Sequence, residues 1–181
     1  MINRIKYLFI GLLCTVWTCL SGAPNFPERL DHGEIQYVKT NSHSVKAFGF
    51  IKLLTACLYV GEGYDIEEYP APIPIALRLQ YDRNFKKGSL VGSADKVLRD
   101  QYSSEQLDAI SQELESINSA YVDVRKGDEY TLIYHPSRGT TLYFNDKEEV
   151  NIPCQQFAEI YFSIWLGNHP DSQKLSQQLL K

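Results

Sequence analysis

The stretch VKAFGFIKLLTACLYV, from Val45 to Val60, constrains the fold more than any other part of the chain. In an extended strand, Phe48, Phe50, Leu54, Ala56 and Leu58 fall on one face, and Ile51, Leu53, Thr55, Cys57 and Tyr59 on the other. A strand that is apolar on both sides cannot lie on a solvated sheet; it needs a layer above and a layer below. Read as one long strand, the stretch therefore belongs in the middle of a sheet, with Gly49 as a bulge that bends it. From Phe48 to Val60 the only charge is Lys52.

The elements around it place that sheet in an α+β domain. Glu34 to Lys39 reads as a short strand, and Ile75 to Tyr81 alternates cleanly, with Ile75, Leu77, Leu79 and Tyr81 facing one way and Arg78 and Gln80 the other. Between them Gly61 to Pro74 is rich in proline and glycine, so it is a loop. Leu90, Ala94, Val97 and Leu98 recur at helical spacing from Lys86 to Asp100. Ser103 and Gln106 form a capping-box pattern opening a second helix through Leu107, Ile110, Leu114 and Ile117. Tyr130 to His135 and Thr140 to Asn145 form a hairpin whose turn, Pro136-Ser137-Arg138-Gly139, needs the positive φ that glycine supplies. A further turn around Asn145 to Lys147 leads to Pro153, which opens a helix to about Leu166. Gly167 ends it, and Asp171 or Ser172 starts a last helix through Leu175, Leu179 and Leu180.

The N-terminus has a different character. Arg4 and Lys6 precede an uncharged apolar run from Leu8 to Leu20, followed by the small residues Ser21, Gly22 and Ala23. Those are the three parts of a secretory signal peptide, expected over residues 1–23 with the folded domain over 24–181. The run is shorter than the ~20 apolar residues of a membrane span. The protein is accordingly expected to be exported, to the periplasm or to the medium. Loss of such a leader removes Cys14 and Cys19 and keeps Cys57 and Cys154, expected as two buried thiols rather than a disulfide.

Charge and motif spacing exclude several function classes. With 18 Lys and Arg against 22 Asp and Glu, the chain lacks the clustered cations that displace counterions from nucleic acid. Outside the expected leader no Cys or His pair has the spacing of a structural zinc site, and no metal or cofactor is expected. Glycine-rich phosphate loops and a G-x-S-x-G elbow are absent from the sequence. The acid pairs Glu67-Glu68 and Glu148-Glu149 read as solvated surface. His135 beside Pro136 and His169 after a helix end read as structural.

Several segments together resemble the bacterial chalcone isomerase-like family: FGFIKLLTACLYV at 48 to 60, Val122 to Asp128 with Tyr130 to Tyr134, RGTTLYFN at 138 to 145, and FAEIYFSIWLGNHPDSQKLSQQLL from Phe157 to Leu180. They stand in the family's order and cover the chain from about Ser42 to Leu180. The resemblance implies an open-faced β-sandwich, an antiparallel sheet carrying a layer of helices, with a ligand cleft between the two layers in the plant relatives. The plant enzyme closes a flavanone ring, which needs a cation near the attacking phenolate and hydroxyl donors on the developing enolate. Laid over that pattern, Ser42 stands where an Arg belongs, Leu54 where a Thr belongs and Ile164 where a Thr or Ser belongs, while Leu90 and Val97 fall nearest the positions of a Tyr and an Asn. Leucine and isoleucine donate no hydrogen bond, so no catalytic residue is assigned.

The resemblance therefore implies a non-catalytic domain that binds a small apolar or fatty-acid-like ligand, as some plant relatives do, or a partner protein. An isomerase or lyase acting on an unknown small substrate is the alternative. Lys52, Tyr59, Tyr81 and Arg83 are the expected ligand-binding residues, Lys52 because an ammonium in an apolar strand requires an anionic partner. The competing structural reading has Lys52 reaching water at a sheet edge and both tyrosines in the core.

Overall fold

The computed structural model describes residues 26–181; the expected leader over 1–23, with Cys14 and Cys19, lies outside the described residues. Seven strands form one antiparallel sheet in simple sequence order: β1 Arg29–His32, β2 Ile35–Ala47, β3 Ile51–Gly61, β4 Ile75–Tyr81, β5 Glu129–His135, β6 Gly139–Phe144 and β7 Lys147–Ile152. Three helices, α1 Lys87–Gln101, α2 Ser104–Asp108 and α3 Ser111–Ala120, fill the β4–β5 connection, and α4 Gln155–Leu166 and α5 Gln173–Leu179 follow the last strand. This is the α+β arrangement of sheet and helices expected from the sequence.

The stretch at 45–60 differs from the reading as one strand. Ala47 pairs with Ile51, and Phe48 and Gly49 adopt φ of 50° and 76°, so the chain reverses at Phe48-Gly49-Phe50. Gly49 is therefore part of a hairpin turn, where positive φ costs it nothing. The two phenylalanines assigned to a strand face project from that turn instead, 87% and 78% exposed. Beyond the turn the expectation of burial on both sides holds, since β3 is buried continuously from Thr55 to Gly61.

Alternation then sorts the side chains into two layers. Toward the helices, Ala56, Leu58, Leu77, Leu79, Tyr81, Tyr130, Leu132 and Leu142 pack against Phe157, Tyr161, Phe162, Ile117 and Leu98. On the opposite face, Tyr37, Cys57, Tyr59, Ala76 and Ile133 are covered by Phe26 and Leu30, so the N-terminal segment and β1 form the second cover that β3 needs. The helical connection is held by the expected cap: the Ser103 hydroxyl accepts from Gln106 N at 3.4 Å, and Gln106 Oε1 accepts from Ser103 N at 3.0 Å. The helix that Ser103 opens is interrupted at Ala109-Ile110 and resumes as α3, with Ile110 fully buried at the break.

β7 occupies the segment 147–152, where the sequence shows only a turn and a helix start; its sequence, KEEVNI, has an edge strand's polarity. Asn145 and Asp146 supply its hairpin turn with φ of 48° and 64°.

Cys57 and Cys154 are both free, on opposite sides of the sheet. Burial pushes the Cys57 thiol up to about 11, leaving roughly one molecule in a thousand as thiolate at pH 8. Half-buried Cys154 sits at the start of α4, its sulfur accepting from Phe157 N at 3.4 Å. Brief iodoacetamide treatment of native protein at pH 8, read by peptide mass spectrometry, should label Cys154 and spare Cys57 until denaturant is added. Equal native labelling of both would contradict this placement.

Candidate functional site

The space between sheet and helices is occupied by aromatic rings. Tyr81 lies edge-on to Phe85 and Tyr130, with centroids 5.7 and 6.2 Å away, and Tyr121 meets Tyr130 at 4.6 Å. The Tyr161 hydroxyl donates to that of Tyr121 at 3.1 Å, and Tyr130 Oη accepts from Val122 N at 2.8 Å. Burial raises the pKa of Tyr81, Tyr121, Tyr130 and Tyr161 alike. These phenols are neutral near pH 7 and serve as core packing.

Openings occur at the perimeter of this packing. One, of about 310 Å³, lies over Tyr161 between α1, α2 and α3, and its guanidinium, Arg99, is engaged by Asp95 at 2.8 Å. A larger one, of about 530 Å³, separates β2 and the Phe48-Gly49-Phe50 turn from the start of α5. Ser42, His43, Ser44, Val45 and Lys46 line it from the strand, and Asp171, Lys174 and Leu175 from the helix.

Both walls of the larger opening are fixed by local structure. Register shifts between Lys39 and Ser42 and between Val45 and Lys46 bend the β2–β3 hairpin. The α5 wall is held at its far end by Asn41, whose amide donates to Leu179 O at 3.4 Å, a carbonyl that the helix leaves open, and to Lys181 O just beyond it at 2.8 Å. At its near end, buried His169 accepts from Asp171 N through Nδ1 at 3.1 Å, which leaves Nε2 to donate to Asp100 at 3.2 Å. Leu175 and Leu179 anchor the helix in the core.

The charges in the opening are unequal in commitment. Asp171 is drawn outward to Lys96 at 3.3 Å. Lys46 and Lys174 have no ion-pair partner among the described residues. His43 and Val45 face Leu175 from the strand, whereas Ser42 and Ser44 are paired with Cys57 and Thr55 and point to the other side of the sheet, where the Ser44 hydroxyl shares a hydrogen bond with that of Thr55 at 3.2 Å. The opening is thus a cationic site with a small apolar floor in a protein of net charge −4. Among the described residues no cluster of His, Cys, Asp and Glu has metal-binding geometry.

The four residues expected to bind ligand do not share a cavity. Lys52 lies directly opposite Lys46 in the hairpin register and is paired with Asp82 at 3.3 Å. Arg83 donates to Lys52 O at 3.2 Å. Tyr81 is in the aromatic core on the helical side, and Tyr59 is on the far side of the sheet, donating to Pro27 O at 3.0 Å. The ammonium in the apolar strand thus has its anionic partner within the protein, and both tyrosines are core residues. Of the positions laid over the plant enzyme, Ser42 lines the larger opening, Leu54 packs at the core's edge and Ile164 is buried in α4, so the three form no constellation. Lys46 was legible only through the turn at Phe48-Gly49-Phe50, which makes it the cross-strand neighbour of Lys52; Lys174 on a polar helix face carried no sequence signal.

A search of solved structures matches a fatty-acid binding protein from Arabidopsis thaliana with a TM-score of 0.62 and 11% sequence identity, covering 86% of this chain and 90% of that one. At that identity the match shows the fold. A comparison with curated proteins finds no match. The chalcone isomerase-like family model matches residues 25–181, nearly the whole chain, and the seven-stranded sheet with its helical layer is the arrangement of that structural neighbour. The chain belongs to the chalcone isomerase-like family.

Proposed function

We propose that this protein is an exported, non-catalytic member of its family, from the bacterial branch, that binds a small amphiphile with an acidic head, of the fatty-acid class. The observation that carries the reading is the pair of uncommitted ammonium groups, Lys46 and Lys174, on opposite walls of one 530 Å³ opening. That volume lies within the range of small-molecule sites, and a carboxylate there meets two charged donors while Val45 and Leu175 offer apolar contact to the first part of a chain. The Arabidopsis neighbour's fatty-acid binding is consistent with such a ligand on this fold. The basic start and apolar run at 4–20 support export. A non-catalytic role is supported by the separation of Ser42, Leu54 and Ile164 and by the neutral, mutually packed phenols of the interior.

Titration of dodecanoate into the protein tests this directly. A charge-assisted hydrogen bond contributes about 1.5–3 kcal/mol, so Lys46→Ala with Lys174→Ala should weaken binding about tenfold or more while leaving the melting temperature of ligand-free protein nearly unchanged. Saturating ligand at 100 times its Kd should stabilise the parent protein by about 2.7 kcal/mol. If no fatty acid co-purifies and added dodecanoate shifts no melting temperature, the reading fails.

A further inference from the structure

Phe48 and Phe50 are the most exposed large apolar residues described, at 87% and 78%, and only one residue separates them. Both project from the tip of the β2–β3 hairpin, where neither packs in either core cluster. Two phenylalanines at a turn forgo the burial that makes such residues favourable in a fold, and Phe48 also adopts a positive φ that a bulky side chain resists.

The chemistry around the tip selects the kind of surface it meets. Lys46 and Lys52 form a like-charged cross-strand pair just behind it, Arg83 is bonded to the Lys52 carbonyl, and Lys174 faces Lys46 across the opening. The acids there are Asp82, engaged by Lys52, and Asp171, engaged by Lys96. Cations therefore prevail at this end of a molecule that is acidic as a whole. Aromatic side chains ahead of a collar of lysines suit insertion between lipid headgroups. Each lysine near an anionic leaflet contributes about 1 kcal/mol.

We propose that the Phe48-Gly49-Phe50 tip is a membrane-docking element that inserts into anionic lipid surfaces, with Lys46, Lys52, Arg83 and Lys174 against the headgroups. Docking in this orientation sets the mouth of the 530 Å³ opening beside the lipid, but it does not depend on what that opening binds.

The test uses the full chain with Phe50→Trp as a reporter and vesicles of phosphatidylcholine with or without 30% phosphatidylserine, a composition chosen to vary charge alone. Emission from the added tryptophan, taken as the difference from the parent protein, should shift to the blue and be quenched by brominated lipid in the anionic vesicles. In a second arm, Phe48→Ser with Phe50→Ser should lower partitioning about tenfold, and Lys46→Ala about fivefold, on anionic vesicles only. Dodecanoate affinity of the double serine variant should equal that of the parent, which separates failure of docking from failure of ligand binding. If the reporter stays solvent-exposed and unquenched while the chain is vesicle-bound through another segment, or if the serine variant partitions like the parent, the proposal is overturned. A folded protein that protects the reporter where vesicles do not would overturn it in favour of a protein partner.

Discussion

Gly139→Ala should destabilise the protein by about 3 kcal/mol or more and lower its melting temperature by roughly 10 °C. Gly139 opens β6 at φ of +82°. An alanine there pays the left-handed penalty of about 1–2 kcal/mol, but the larger cost is steric. Its Cβ would stand 2.1 Å from Ile152 O and 2.5 Å from Pro153 Cα. Both are backbone atoms at the junction between β7 and α4, so relief requires the β6–β7 pairing to separate where Thr140 faces Ile152. Gly127→Ala is the control, because φ there is +97° with nothing within 4 Å of an added Cβ; it isolates the conformational term. Urea denaturation of both variants should place Gly139→Ala well below Gly127→Ala. Midpoints that coincide would show that the strand junction yields freely and that the close approach has no energetic weight.

The same junction shows what the sequence could and could not reveal. Gly139 was legible as a turn glycine because Pro136-Ser137-Arg138 precedes it, yet its contact with Ile152 O depends on β7. An edge strand of sequence KEEVNI has one solvated face and no hydrophobic alternation to betray it. Local periodicity identified β4 and α1 because each buries a regular stripe or face, while turn and cap residues bracketed β5, β6 and α4, whose burial is not confined to one face. Periodicity misread Val45 to Val60 because a hairpin whose turn residues are themselves aromatic looks like an uninterrupted apolar strand. Treating Phe48 and Phe50 as core placed attention on Lys52, whereas the turn sets Lys46 opposite it: Lys52 is tied to Asp82, and Lys46 has no ion-pair partner among the described residues. Tyr59 and Tyr81 belong to different layers for a parity reason visible only with the register, since Tyr59 pairs with Ala76 and Leu54 with Tyr81.

Register also explains the most consequential polar contact outside the candidate site. Arg78 and Glu129 come from the adjacent strands β4 and β5 and project from the sheet face away from the helices, their side chains only 15% and 10% exposed. Arg78 Nε donates to Glu129 Oε1 at 2.6 Å, its terminal nitrogen reaches the same oxygen, and Thr131 Oγ1 donates to it at 3.2 Å. Arg78→Met removes the guanidinium and leaves a carboxylate only 10% exposed with one hydroxyl donor. Breaking a buried pair this way costs about 3–5 kcal/mol, while replacing both partners with apolar residues is often neutral. Arg78→Met should therefore be strongly destabilised in urea, and Arg78→Met with Glu129→Leu should recover most of the loss even though it carries one more substitution. Asp146 gives little compensation in the parent protein, at 3.9 Å and 87% exposed, so its removal should change stability by less than about 1 kcal/mol. If the double variant is no more stable than Arg78→Met, the cost comes from lost alkyl packing across β4 and β5, and the stranded-charge explanation is wrong.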